Sequence, residues 1–179
     1  FFILFINIVF FYNNSSNIIF SSNSNQFQFS QNSNFSWPIP GFHNITSNFG
    51  IRIHPISKKT SHHSGIDISA PEGSFLYSIS SGIVTLAKFN GANGYSIHIS
   101  NGDFEFIYGH VSPSFIVCIG DKIEQNQIIG NVGPKYVEKT PENKYTDYSG
   151  KSTNGSTTGP HLHFSIKKDG KAVNPLDYF

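Results

Sequence analysis

Asn101-Gly102 separates two alternating runs, Tyr95-Ser96-Ile97-His98-Ile99-Ser100 and Asp103-Phe104-Glu105-Phe106-Ile107-Tyr108-Gly109-His110. An Asn-Gly pair readily takes the positive φ angles of a two-residue hairpin, so this stretch is committed to antiparallel strands. The same grammar runs on through the chain. Sixteen glycines and nine prolines cut it into short alternating segments, and no convincing amphipathic helix is found. Strands are expected at about 66–70, 75–80, 82–88, 95–100, 103–109, 115–118, 127–132 and 161–167, which makes the fold class all-β. Length and 37% hydrophobic content suit one domain plus a tail.

Chemistry-bearing residues cluster in three islands. In Thr158-Gly159-Pro160-His161-Leu162-His163-Phe164-Ser165-Ile166 a Gly-Pro break opens a strand. Residues two apart on a strand share a face at roughly 6.5 Å, so His161 and His163 stand side by side. Such a pair can hold a metal, move protons, divide the two jobs, or simply line a solvated face. The second island is Ser61-His62-His63-Ser64-Gly65-Ile66-Asp67. A straight strand would hold His63 and Asp67 roughly 13 Å apart, and Gly65 with Pro71 opposes a helix. The chain is therefore expected to bend at Ser64-Gly65, with His63 on a loop and Asp67 near a strand start. His62 is the rival, disfavoured because its spacing to Asp67 reverses its side; Asp67 could also be a turn carboxylate. The third island ends in His110, placed by strand parity on the face of Phe104, Phe106 and Tyr108, at a strand end where functional side chains are often displayed. His98 alternates with Ile97 and Ile99 and reads as solvated.

Other chemistries fare worse. Cys118, the only cysteine, lies in an apolar run and reads as a buried structural thiol. No phosphate-cradling glycine motif occurs, and a net charge of +1 gives no support to nucleic-acid binding. Arg52, the sole arginine, has a structural role as its default and orientation of a nearby site as the weaker option. His43 and His54 have no partners at ligand spacing. A catalytic zinc takes three protein ligands and keeps a position for water, whose pKa falls to about 7 in a suitable site. Many zinc proteases add a glutamate base in His-Glu-x-x-His, which is absent here, and Glu105 lies opposite the His110 face. A histidine base is the more economical reading.

Together the islands resemble the lysostaphin-type zinc endopeptidases of peptidoglycan, the LytM-like domain. The matching stretches are Ile45-Thr46-Ser47-Asn48-Phe49-Gly50-Ile51-Arg52, His63-Ser64-Gly65-Ile66-Asp67, Tyr108-Gly109-His110 and Thr158-Gly159-Pro160-His161-Leu162-His163-Phe164. Val117 to Gly120 with Gly130 to Gly133, and Val173-Asn174-Pro175, also match, so the resemblance covers about 37–179. It implies an antiparallel two-sheet sandwich with an active-site groove and one Zn2+ per chain. It makes His63, Asp67 and His163 the metal ligands, and His110 and His161 the unliganded catalytic histidines, jointly responsible for proton transfer and oxyanion stabilisation. The implied function is hydrolysis of peptide bonds in peptidoglycan stem peptides or cross-bridges through a zinc-activated water. The partners are then wall peptides, met by a monomeric chain. The alternative is an inactive LytM-like domain that binds or regulates other wall hydrolases. Such relatives typically lack ligands or catalytic histidines, whereas all five positions are filled here. A zinc D,D-peptidase would set the first His and Asp farther apart and add a Glu near the last histidine.

The organisation expected is an apolar segment at 1–12, a polar Asn/Ser-rich linker at 13–36 and the endopeptidase domain at 37–179. Twelve apolar residues suit a signal-peptide core better than a span, which needs about 20. With Phe first and no Met in the chain, the natural start is expected upstream, which keeps a signal anchor open. A secreted or cell-envelope protein follows, touching a membrane only through that anchor. One departure from the family stands out: 134–156 replaces a short glycine-rich turn with Tyr136, Tyr145, Tyr148 and four lysines. This insertion is expected to border the groove, its tyrosines lying along a peptide substrate.

Overall fold

The computed structural model describes residues 35–53, 56 and 58–179; the segment 1–12, nearly all of the 13–36 linker and His54 lie outside the described residues. Twelve short strands follow in order: β1 (Ile45–Ser47), β2 (Gly50–Ile53), β3 (Thr60–His63), β4 (Ile66–Ile68), β5 (Phe75–Tyr77), β6 (Gly82–Phe89), β7 (Tyr95–Asn101), β8 (Phe104–Gly109), β9 (Lys122–Ile123), β10 (Ile128–Asn131), β11 (Leu162–Lys168) and β12 (Lys171–Val173). Helix among the described residues is limited to 3₁₀ turns at Gly91–Asn93 and Pro175–Tyr178. The all-β expectation holds.

Eight strands form one sheet in the order β1-β4-β11-β8-β7-β6-β9, with β12 beside the second half of β11. Every pairing is antiparallel. The β7–β8 hairpin closes one residue later than expected: Asn101 pairs with Phe104, and Gly102 at φ +57 opens the two-residue loop. The second layer is the small β5–β10 sheet, and β2–β3 forms a separate hairpin beside the groove. Alternation explains the layering. Ile97 and Ile99, Phe106 and Tyr108, and Leu162, Phe164 and Ile166 all point inward and are buried, meeting Leu76 and Ile129 of the second layer. Gly130 permits the close contact, since a Cβ there would lie 3.1 Å from Ile97 Cδ1. Phe35 closes one end of the core, its ring 4.9 Å from Phe106 and 5.8 Å from Tyr178.

Several expectations are corrected. Residues 115–118 form no strand; Val117 is buried and Phe115 packs partly against the core, but Cys118 is exposed, its N–H donating to Asp121 Oδ2. A run that turns every two residues leaves no face on which to bury a thiol. His98 is buried rather than solvated, 3.0 Å from Oε1 of Glu105, whose Oε2 accepts from Lys167 at 2.7 Å. Its own strand is apolar on one face only, and its partners are Glu105 of β8 and Asn90, which lies 3.2 Å from its Nε2. Strands β1, β2, β3, β9 and β12, of two to four residues, are too short to register as alternation.

Tyr108 ties the layers together. Its buried hydroxyl donates to the Tyr77 carbonyl at 3.1 Å and accepts from the Ile79 N–H at 3.0 Å. Tyr108→Phe leaves the Ile79 N–H without its acceptor, so a loss of about 1–3 kcal/mol is expected. Urea unfolding checks this: the midpoint should fall while the slope stays constant.

Candidate active site

A single cross-strand row founds the site. Ser47 of β1 pairs with Asp67 of β4, Asp67 with His163 of β11, and His163 with Gly109 of β8, all on the face away from the core. Strands about 4.8 Å apart bring such side chains into contact without a helix or a long loop. Gly109 leaves room for its neighbour, since a Cβ there would sit 3.3 Å from the His163 ring.

His63 enters from the side. The chain bends at Ser64-Gly65 as expected, although His63 ends strand β3 instead of sitting on a loop. Gly65 makes the bend feasible: a Cβ there would collide with the Phe164 carbonyl and Ser165 Oγ of β11. His63 Nε2 then lies 3.2 Å from Asp67 Oδ1 and 3.0 Å from His163 Nδ1, and His163 Nδ1 lies 2.9 Å from the same carboxylate oxygen. His62 stays out of this triangle and packs edge-on to Phe49.

His161 and His110 complete the cluster. His161 Nε2 is 3.7 Å from Asp67 Oδ1, and the His110 ring centroid is 4.6 Å from that of His161 and 6.1 Å from that of His163. Parity had placed His110 with Phe106 and Tyr108. The residue lies beyond the last position of β8 with φ +56, and that left-handed turn carries its ring across to the His163 face.

Hydrogen bonds decide which ring nitrogens face inward. His63 Nδ1 is 2.9 Å from the Asn48 carbonyl, His110 Nδ1 2.7 Å from that of Asn154, and His161 Nδ1 2.8 Å from that of Gly159. A carbonyl only accepts, so each Nδ1 carries the proton and each Nε2 presents a lone pair to the cluster. His163 has the reverse orientation, with Nδ1 inward and Nε2 2.9 Å from Ser165 Oγ, a hydroxyl able to accept its N–H. Asp67 turns Oδ1 to the histidines and Oδ2 to Arg52, whose Nη1 is 3.3 Å away and also bonds Ser47 Oγ. Orientation of the site, the weaker option for Arg52, is thus what its contacts show.

His63 Nε2, Asp67 Oδ1 and His163 Nδ1 are a set that could hold a metal ion. Bonds of about 2.0–2.1 Å to a tetrahedral ion separate ligand atoms by about 3.3 Å, close to the triangle seen. Three inward acceptor atoms at this range repel unless a proton or a cation sits among them, so the donor set fits a cation. Burial would raise the Asp67 carboxyl, but in the metal-free site a proton shared from the facing His163 and His63 nitrogens holds it well below the usual carboxylate range. Burial, aided by His161 and His163, pushes the His110 imidazole down to about 3. The site opens into a groove of about 670 Å³ whose walls include Arg52, Ser61, Asn93, Ser156 and Pro160. Of the 134–156 insertion only Ser156, at its end, lines the groove; its three tyrosines do not, and Tyr148 is fully exposed. The insertion instead folds on itself through bridges from Tyr136 to Thr153 and Thr146 to Ser152, with Tyr136 between the ammonium groups of Lys135 and Lys151.

With this geometry in view, similarity to known proteins becomes informative. The profile of Peptidase family M23 matches residues 61–175, which include all five site residues. The chain belongs to Peptidase family M23. The DD-carboxypeptidase/endopeptidase Mpg of Neisseria meningitidis is 31% identical over 74% of this chain and 26% of its own length. The peptidoglycan DD-endopeptidase ShyA of Vibrio cholerae is 28% identical over 78% of this chain and 28% of its own. The M23 chain thus spans about a quarter of the length of these curated relatives. The fold also matches a structure of the SpoIIQ–SpoIIIAH pore-forming complex, at TM-score 0.61 and 23% identity, covering 82% of this chain and 90% of that one.

Two contributors carried no strong sequence signal. Ser165 could have been read from parity, two residues past His163 on the same face. Asn154 could not, because its contacts are long-range.

The buried histidines give the metal-free protein an acid sensitivity. Unfolded, the His110 ring takes up a proton near pH 6.5; folded, it does so only near 3. Between those values the unfolded state binds more protons, so stability falls as pH falls. His98 and His163, also lowered by burial, act in the same direction. Thermal melts of metal-free protein from pH 7 to 4 should show a declining midpoint, with a shallower decline in His110→Ala.

Proposed function

We propose that this M23 chain is a zinc-dependent endopeptidase that hydrolyses peptide bonds in peptidoglycan stem peptides or cross-bridges, at the cell envelope or outside the cell. The observation that carries the reading is the division of the cluster. Three inward donor atoms lie within 3.2 Å of one another, while His110 and His161 direct further lone pairs into the same space. In this reading His63 Nε2, Asp67 Oδ1 and His163 Nδ1 hold one zinc. When bound there, zinc supplies Lewis acidity that activates a water and polarises the scissile carbonyl.

The chain's own residues supply the rest. His110 and His161, whose Nδ1–H bonds to carbonyls turn Nε2 inward, each present that nitrogen to take a proton from the attacking water and return one to the leaving amine. Once protonated, the same nitrogen becomes a donor for a developing oxyanion. The buried position of His110 keeps it a neutral acceptor at physiological pH. Arg52 neutralises the outer oxygen of Asp67 and leaves the inner one for the cluster. The family match and the endopeptidase relatives support the substrate class.

A second reading, a non-catalytic domain that binds a protein partner, takes support from the match to the SpoIIQ–SpoIIIAH complex. The filled set of five site residues favours the enzyme.

Zinc content and hydrolysis of purified peptidoglycan separate the roles. His63→Ala, Asp67→Ala and His163→Ala should lose the metal. His110→Ala and His161→Ala should keep about one zinc per chain yet lose roughly 10²–10⁴-fold in rate. Metal loss from His62→Ala or His161→Ala would overturn the ligand assignment, and zinc-loaded protein inert on every wall type would favour the partner-binding reading.

A further inference from the structure

His110 is held in a backbone conformation that residues with a side chain seldom adopt, φ +56, and three bonds keep it there. Its N–H donates to Asn93 O at 2.7 Å, its carbonyl accepts from Gly133 N at 2.8 Å, and its ring Nδ1–H donates to Asn154 O at 2.7 Å. The last partner is unusual. Asn154 is fully buried, and both its main chain and its side chain are engaged. Its Oδ1 accepts from the Tyr95 N–H at 2.8 Å, its Nδ2 donates to Val111 O at 3.0 Å, and its N–H donates to Lys135 O at 2.9 Å. Tyr95 opens β7, and Val111 directly follows His110. One amide side chain therefore clamps the strand beside His110 and the residue after it, while the same residue's carbonyl holds the His110 ring. The surroundings are shaped to this amide: a Cβ on Gly94 or Gly133 would collide with it.

We infer that Asn154 is a positioning residue for His110, its side-chain clamp fixing the carbonyl that selects the Nδ1–H tautomer and aims Nε2 at the groove. This rests on the reading of His110 as a proton-transfer group. The 134–156 insertion acquires a role on the same grounds. Only its last residue, Ser156, lines the groove, but the rest buttresses Asn154: Lys135 O receives the Asn154 N–H, and Asn143 Nδ2 and Tyr145 O hold Thr153 next to it. Removing the Asn154 side chain leaves the carbonyl in the sequence but frees it to move. It also strands the Tyr95 N–H and the Val111 carbonyl in a dry site.

The experiment uses the full chain loaded with zinc. Long-range ¹H–¹⁵N spectra of ¹⁵N-histidine protein, assigned with His110→Ala, should show wild-type His110 as the Nδ1–H tautomer; an Nε2–H form or a mixture overturns the proposal without any Asn154 variant having to fold. Asn154→Ala should retain one zinc and wild-type KM on a soluble cross-linked wall peptide. Its kcat should fall about 10- to 100-fold, as a small misplacement of a reacting group does, and the single His110 tautomer signal should be lost. Unchanged kcat and an intact signal would overturn the proposal, as would a loss of kcat that merely tracks loss of zinc. His110→Ala separates the two levels. Full activity in that variant defeats the reading of His110 itself, whereas an inactive His110→Ala beside a normal Asn154→Ala defeats only the role of Asn154.

Discussion

The outward N–H bonds of the site histidines are the interaction on which everything else at this groove depends. Three rings give their Nδ1 protons to the carbonyls of Asn48, Asn154 and Gly159, and the fourth turns Nε2 to Ser165 Oγ. Each bond fixes a tautomer and a ring orientation, and so converts a flexible, amphoteric side chain into a directed lone pair. Three of these rings converge on Asp67 Oδ1, while His110 packs against His161 and Arg52 holds the carboxylate by its other oxygen. A cluster of this kind is destabilising on its own, because its acceptors face one another in a dry setting. It persists because the strands beneath it are locked by a core that the cluster does not touch.

The sheet supplies that separation by parity. On β11, Leu162, Phe164 and Ile166 anchor the core while His163 and Ser165 face the site, so site and core residues alternate along one strand. Beta register does the positioning that a helical His-Glu-x-x-His segment does elsewhere. It also explains the glycines here: at Gly65 a Cβ would collide with the β11 backbone, and at Gly109 it would crowd the His163 ring. In the proposed function histidine stands in place of glutamate as the proton carrier, which suits the same crowding: a further carboxylate beside Asp67 would add like charge to a site already dense in acceptors.

Much of this was legible in the chain. The hairpin, the strands around Ile97, Phe106 and Phe164, the bend at Ser64-Gly65 and the pairing of His161 with His163 all follow from local rules of periodicity and turn chemistry. What escaped was set by contacts distant in sequence or by a single dihedral. His110 obeyed parity up to Gly109 and then departed through one positive φ. Cys118 sat in an apolar run that proved to be a series of turns, and His98 found Glu105 on the neighbouring strand and Asn90 before it. The insertion was the hardest to read. Its tyrosines drew attention, yet its structural consequence passes through Asn154, whose side-chain partners lie 43 and 59 residues away.

In the proposed function three inward donor atoms, and no others from the chain, bind one zinc. A crystal structure of the zinc-loaded protein, with anomalous data collected on both sides of the zinc edge, tests this. One anomalous peak is expected within bonding distance of His63 Nε2, Asp67 Oδ1 and His163 Nδ1, with His110 and His161 outside that distance and hydrogen-bonded to the Asn154 and Gly159 carbonyls. A peak coordinated by His161 or His110, or no peak in the cluster at all, would contradict it.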